Sequence, residues 1–297
     1  MTTPAPVLYC FDFDGVLCDS ASETGTAGHK AAQILWPHAR WLLELEANPI
    51  RKQAILNRFC EIRPCLGTGW EASLLIKLLA DDGLSNEEIM TNFQAKLKHK
   101  QLDSLGLTKE QCNSALKTAR NNWIKLDPND WLASHEFYEG ACDAVKKLLK
   151  EQGPADVYII TTKAAEYAQR LLQNAGLYGE GKITDDHIFG LGSGPKNEVV
   201  QALLEKKGKD AIAVLVEDNL LTLHKVMNDD NVCDRVLPVM ASWGYNTPVE
   251  QKQAMKEDYL VLDPVDSSTI EGVLTDAKVN KLFSEFKAAK MKSKGKK

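Results

Sequence analysis

Six short runs along the chain are apolar and rich in β-branched residues, without strict alternation. They are VLYCFDFD (7–14), VYIITT (157–162), HIFGLG (187–192), IAVLVED (212–218), VLPVMAS (236–242) and YLVLD (259–263). A strand with one wet face alternates, so these runs predict parallel strands covered on both faces. From residue 135 onward they are separated by segments of helical period. GACDAVKKLLKEQG sets Ala141, Val145, Leu148 and Leu149 on one face and stops at Gly153. AAEYAQRLLQNAG repeats the pattern up to Gly176, and PKNEVVQALLEKKG opens on Pro195 and closes on Gly208. Proline early and glycine late is the expected helix punctuation. Strand and helix in alternation predict an α/β fold, a doubly wound parallel sheet.

Between residues 20 and 134 the pattern changes. No convincing strand occurs, but three capping boxes do: Thr68 with Glu71, Ser85 with Glu88, and Thr108 with Gln111. Apolar stripes follow them, formed by Leu74, Leu75, Leu78 and Leu79, by Ile89, Phe93 and Leu97, and by Ala115, Ala119 and Trp123. The expected organisation is a catalytic core of residues 1–19 and 135–297, interrupted by an all-α insertion at 20–134. Most of the six tryptophans fall in the insertion, where core packing is the default and a stacking role for Trp70 is the other reading.

Composition narrows the picture further. The 297 residues are 44% hydrophobic and 26% charged, which suits a globular chain with a proper core. A net charge of -5 argues against a general nucleic-acid binder. No apolar run approaches the roughly 18 residues of a membrane span, and no secretory or transit segment is visible. The seven cysteines are scattered, with no C-x-x-C pair, so free thiols in a reducing, cytoplasmic setting are expected. The chain is expected to work as a monomer or homodimer. The lysine-rich KAAKMKSKGKK at 287–297 reads as a solvated, frayed end, or else as a contact for an anionic partner.

In a parallel sheet, ligands bind beyond the carboxyl ends of the strands. There the first run carries Asp12 and Asp14, the second Thr161, Thr162 and Lys163, and the fourth Glu217 and Asp218, while Lys196 opens the helix after the third. An Asp-Gly at a strand end is also an ordinary turn. Period 2 sends the side chains of Asp12 and Asp14 to the same face. Carboxylates with a backbone carbonyl suit Mg²⁺, a hard cation that takes oxygen ligands. A carboxylate can attack phosphorus and form an aspartyl-phosphate. It also repels a phosphate, by about 4 kcal/mol per charge pair at 4 Å and an effective dielectric of 20. A dication at Asp218 and the ammonium of Lys196 would offset this, and a second carboxylic acid would supply the proton that the leaving oxygen needs.

DFDGVLCDS closely resembles the first motif of the haloacid dehalogenase (HAD) superfamily. YIITTK resembles its second motif, GPK with Lys196 its third, and VLVEDN its fourth, in the family's order. FYEGACDAVKKLLKEQG resembles the return from the family's cap, and SWGYN (242–246) the segment after its fifth strand. The resemblance covers essentially the whole core. It implies a HAD-type Rossmann-like fold with an all-helical cap inserted after the first motif.

Carried over by position, Asp12 would be the nucleophile and a Mg²⁺ ligand. Asp14 would be the general acid and base, its carbonyl also on the metal. Thr161 would bind the phosphoryl oxygens and Lys196 would steady nucleophile and phosphate. Asp218 would hold Mg²⁺, with Glu217 assisting directly or through water. Backbone amides around Phe13 and Thr162 would complete the cradle, with Thr162 and Lys163 on the substrate-binding side.

Two departures stand out. The third motif reads Pro-Lys-Asn rather than Lys-Pro, and the fourth begins with Glu, with Leu221 and Thr222 where some members carry a further acid. Within the insertion, EIRPCLGTGWE (61–71) has two readings. One is a substrate-reading loop with Arg63 on an anionic group and Trp70 beside it; the other is an inter-helix turn with Arg63 in a surface ion pair.

The resemblance implies a Mg²⁺-dependent phosphatase acting on a small phosphomonoester. The alternatives are a 2-haloacid dehalogenase using Asp12 at carbon, a weakly active binding or regulatory member, and a phosphotransferase. A dehalogenase has no leaving oxygen to protonate and needs no metal, so Asp14 and Asp218 speak against it.

Overall fold

The computed structural model describes residues 4–263 and 274–294. The chain divides into two compact units, one holding residues 20–136 and the other the segments on either side of it.

The flanking segments build a six-stranded sheet in the order β5-β4-β1-β6-β7-β8. Its strands are β1 (Val7–Phe11), β4 (Val157–Ile160), β5 (Ile188–Phe189), β6 (Ile212–Glu217), β7 (Val236–Ala241) and β8 (Leu260–Leu262). The remaining strands, β2 (Cys18–Asp19) and β3 (Glu136–Phe137), mark where the chain leaves and returns. Every strand pair of the large sheet is parallel. All six runs predicted from the apolar pattern contain strands, each shorter than its run, with the third cut to Ile188–Phe189 and the sixth to Leu260–Leu262. Every residue of β1, β4, β6 and β7 is buried. Each fully enclosed Val or Leu contributes roughly 1.5–3 kcal/mol, and burial on both faces is the reason the runs do not alternate.

Helices cross between the strands as the 3.6-residue period predicted: Glu139–Gln152, Ala165–Asn174 and Lys196–Lys207. They stop where Gly153, Gly176 and Gly208 take positive φ. The chain builds β4 and β5 on one side of β1, then crosses over to β6 on the other side. That reversal places the switch point of the sheet between β1 and β6, where α/β folds open a crevice.

The helix Asp276–Lys294 runs into the lysine-rich segment that was expected to fray. Val279, Phe283 and Phe286, spaced four and three apart, are buried and hold it in place. The last three residues of that segment lie outside the described residues.

The inserted unit is built of helices joined by short turns, up to Glu136, the first residue of β3. Phe59, Leu74, Leu75, Ile76, Ile89 and Phe93 are fully enclosed in its core. The stripe expected from Ile89 through Leu97 is broken by a wider i→i+5 turn over Phe93–Leu97, so Leu97 is only partly buried. A buried ion pair ties three helices together. Arg120 Nε and NH2 donate to the two oxygens of Glu23 at 2.7 Å each, and Trp131 Nε1 donates to Glu23 Oε1 at 3.3 Å.

Candidate active site

β1 and β6 run side by side in register, with Phe11 opposite Val216. The Asp12 backbone N–H continues the ladder, donating to the Val216 carbonyl at 2.9 Å. Asp12 therefore leaves β1 level with Glu217 and Asp218 at the end of β6. All three are buried, and one carboxylate oxygen from each lies within 4.8 Å of the others.

Packed acids of this kind need compensation. Lys196 supplies part of it, its Nζ 2.9 Å from Asp12 Oδ1 and 2.5 Å from Glu217 Oε2. The first turn of a helix is a poor place for a cation, and these two contacts are the physical reason for one here. Burial works against charge on Lys196, but Asp12 and Glu217 outweigh it and hold the ammonium above its ordinary range. Burial pushes the Glu217 carboxyl well up; Asp12 adds to this and Lys196 opposes it.

Asp218 is seated by the SWGYN segment after β7. Its Oδ2 accepts the Tyr245 backbone N–H at 2.6 Å, and its carbonyl accepts Asn246 Nδ2 at 3.1 Å. Two glycines make room for it. A Cβ on Gly15, which has φ +85°, would lie 1.9 Å from Asp218 Oδ2, and one on Gly244 would lie 2.3 Å from Asp218 Cβ. The same segment braces the turn after β1: Trp243 Nε1 donates to the Val16 carbonyl at 3.1 Å and Tyr245 Oη to Asp19 Oδ1 at 2.8 Å. Pattern reading marked SWGYN only as a resemblance. The signal for its role is a Gly-Tyr-Asn turn directly after a buried strand.

Asp14 is half-buried, and Lys163 Nζ lies 3.1 Å from its Oδ1. Thr161 is buried at the end of β4, with its Oγ1 accepting the Lys163 backbone N–H at 3.1 Å; Thr162 is exposed. Thr161, Thr162, Lys196 and Asn197 line a cleft of about 200 Å³ together with the loop that follows β5. Lys163, expected on the substrate side, is thus engaged with Asp14.

Arg63 and Trp70 lie in the inserted unit. Arg63 is buried in a short turn, Arg63–Cys65, and its NH1 donates to the Leu66 carbonyl at 3.5 Å, which is not the surface placement that the turn reading called for. Trp70 is half-buried, with Lys98 Nζ 5.9 Å and Lys109 Nζ 6.0 Å from its ring centroid. Glu71 stiffens this loop, accepting the Gly67 N–H at 2.8 Å, Gln94 Nε2 at 2.7 Å and Lys98 Nζ at 2.8 Å.

The acidic cluster fits a hard dication. Its donors are all oxygen, as Mg²⁺ prefers. Asp12 Oδ1 is buried with an ammonium nearby but no directed hydrogen bond. Lys196 contacts two of the three clustered carboxylates, those of Asp12 and Glu217, while Lys163 contacts Asp14.

A parallel sheet with acids at its switch point, and a threonine and a lysine at neighbouring ends, defines a doubly wound α/β hydrolase unit. The family model of the haloacid dehalogenase-like hydrolases matches residues 7–221, and the chain belongs to that family. No curated protein matches the sequence. Among solved structures, a proposed phosphoglycolate phosphatase from Lactobacillus delbrueckii subsp. bulgaricus aligns over 92% of this chain and 99% of its own, with a TM-score of 0.55 and 13% identity. A proposed phosphatase from Clostridium difficile aligns over 91% and 100%, with a TM-score of 0.50 and 14% identity. A hydrolase from Pseudomonas syringae aligns over 91% and 99%, with a TM-score of 0.50 and 16% identity. At these identities the likeness is one of fold.

Proposed function

We propose that this hydrolase cleaves a small-molecule phosphomonoester with Mg²⁺, through an aspartyl-phosphate on Asp12. The observation that carries the reading is the pairing of two aspartates from one short segment with two different lysines. Asp12 meets Lys196 at 2.9 Å and Asp14 meets Lys163 at 3.1 Å. Separate partners suit separate roles. Attack at carbon on a haloacid would leave Asp14 without work, which favours the phosphatase reading over a dehalogenase.

Bound by Asp12, Asp14, Asp218 and Glu217, Mg²⁺ would supply the positive charge that lets a carboxylate approach a phosphate. In the first step a carboxylate oxygen of Asp12 forms a bond to phosphorus. The bond from phosphorus to the ester oxygen breaks, and Asp14 gives its proton to that oxygen. In the second step a water attacks the phosphorus of the aspartyl-phosphate, returns a proton to Asp14, and Asp12 is released. Lys196 holds Asp12 in place, and Thr161 with the amides near Phe13 and Thr162 receives the phosphoryl oxygens. Seven free cysteines, five of them buried, support a reducing, cytoplasmic setting. Among the described residues no helix is long and apolar enough to cross a membrane.

The test is phosphate release from 4-nitrophenyl phosphate by the purified protein with Mg²⁺. Chelation and Asp12→Asn should each abolish it. Turnover that survives in Asp12→Asn, or chloride release from 2-chloropropionate without metal, sinks the proposal.

A further inference from the structure

We infer that Lys163 is a positioning residue for Asp14, fixing how that acid is turned toward the leaving group. The inference rests on the phosphomonoester reading above and assigns Lys163 a task other than gripping the phosphoryl group.

The Lys163 side chain is sealed from solvent, with 2% of it exposed, and its Nζ lies 3.1 Å from Asp14 Oδ1. The side chain runs past Phe13, the fully buried residue between the two aspartates, with Nζ 5.9 Å from the ring centroid. Its backbone is fixed on both sides. The N–H donates to Thr161 Oγ1 at 3.1 Å, and the carbonyl accepts the Leu191 N–H at 2.9 Å. The loop after β5 presses so closely here that a Cβ on Gly190 would lie 2.8 Å from the Lys163 carbonyl oxygen and 2.5 Å from the Ala165 nitrogen. A backbone held by two hydrogen bonds and a buried stem leave the ammonium little choice of place.

A general acid acts only when its proton is within hydrogen-bond reach of the departing oxygen. An ammonium on Oδ1 sets the rotation of the Asp14 carboxyl group, and so the direction in which the acid presents its proton. As the Asp12–phosphorus bond forms and the ester P–O bond breaks, that proton passes to the leaving oxygen. Asp14 ends as a carboxylate facing the Lys163 side chain. The two lysines thus divide the work: Lys196 serves the nucleophile, Lys163 the acid.

The experiment measures single-turnover release of the leaving group with Mg²⁺, for 4-nitrophenyl phosphate and phenyl phosphate, in wild type, Lys163→Met, Lys163→Arg, Asp14→Asn and Asp12→Asn. The 4-nitrophenolate leaves without help, whereas the more basic phenolate needs a proton, and general acid catalysis is worth about 10²–10⁴-fold. Lys163→Met should lose at least about 10-fold more on the phenyl ester than on the nitrophenyl ester. Asp14→Asn should likewise lose more on the phenyl ester than on the nitrophenyl ester, and Lys163→Arg should recover part of the phenyl rate lost in Lys163→Met. Equal losses on the two esters overturn the inference, because a phosphate-gripping or merely structural lysine cannot sense the leaving group. They leave the parent reading standing as long as Asp12→Asn is dead. If Lys163→Met does not fold, Lys163→Arg carries the test, since it keeps the charge but moves it and should still steepen the leaving-group dependence. Release in Asp12→Asn at the wild-type rate overturns both readings.

Discussion

Gly244→Ala tests the seating of Asp218 against the turn after β1. Gly244 has no positive φ, so the change tests space and not backbone strain. The added Cβ would lie 2.3 Å from Asp218 Cβ, 2.3 Å from the Gly15 carbonyl oxygen and 2.8 Å from Asp218 Oδ2. Restoring ordinary contact of about 3.5 Å requires a shift of roughly 1.2 Å in Asp218 or in the segment carrying residue 244. Asp218 cannot move freely, since Tyr245 N–H holds its Oδ2 at 2.6 Å. Overpacking of this kind costs about 1–3 kcal/mol, which lowers the thermal midpoint by roughly 2–12 °C. A displacement of about 1 Å in a positioning element costs on the order of 100-fold in rate. The expected result is weakened Mg²⁺ binding by calorimetry and about 100-fold slower release of 4-nitrophenolate at saturating Mg²⁺. Gly83→Ala is the control: its Cβ meets nothing within 4 Å, and stability should stay within about 0.5 kcal/mol of wild type. If Gly244→Ala binds Mg²⁺ with wild-type affinity and turns over within about 3-fold of it, the seating argument is wrong.

Three further outcomes follow from the same structure. Lys196→Met strands Asp12 and Glu217 together without their ammonium, a loss of about 3–5 kcal/mol for a broken buried pair; a chemical-denaturation midpoint unchanged from wild type would contradict it. Saturating Mg²⁺ at about 100 times its dissociation constant should add about 2.7 kcal/mol to the stability of the unit carrying the acids, and Asp218→Asn should reduce that gain in a thermal-shift series. Arg120→Met leaves Glu23 buried without its bidentate partner and should destabilise the inserted unit by about 3–5 kcal/mol, read as an earlier unfolding transition with residual core structure intact.

Much of the core was legible because its signals are local. The non-alternating runs gave six strands, since burial on both faces removes the need for polar residues, and glycines marked the helix ends. The acids were legible too, because strand ends in a parallel sheet converge by topology alone. The helix Asp276–Lys294 was missed because lysines mask its apolar spacing of Val279, Phe283 and Phe286. The break at Phe93–Leu97 was missed because a wider turn leaves no residue signature of its own. Lys163 was read as facing substrate, because nothing local distinguishes a lysine aimed at a ligand from one aimed at a carboxylate.

What the amino-acid order determined by itself was the kind of fold and the set of chemical groups at the strand ends. Both follow from periodicity and from the convergence of strand ends in a parallel sheet, which act over a few residues or one βα unit. Which lysine meets which aspartate was decided only by the tertiary structure. Lys163 and Lys196 stand far from Asp12 and Asp14 in the chain, on different elements. Their partners are set by register between β1, β4 and β6 and by side-chain reach. The seating of Asp218 between Gly15 and Gly244 is of the same kind. It depends on two turns closing on one carboxylate at contact distance, and no pattern along the chain records that distance.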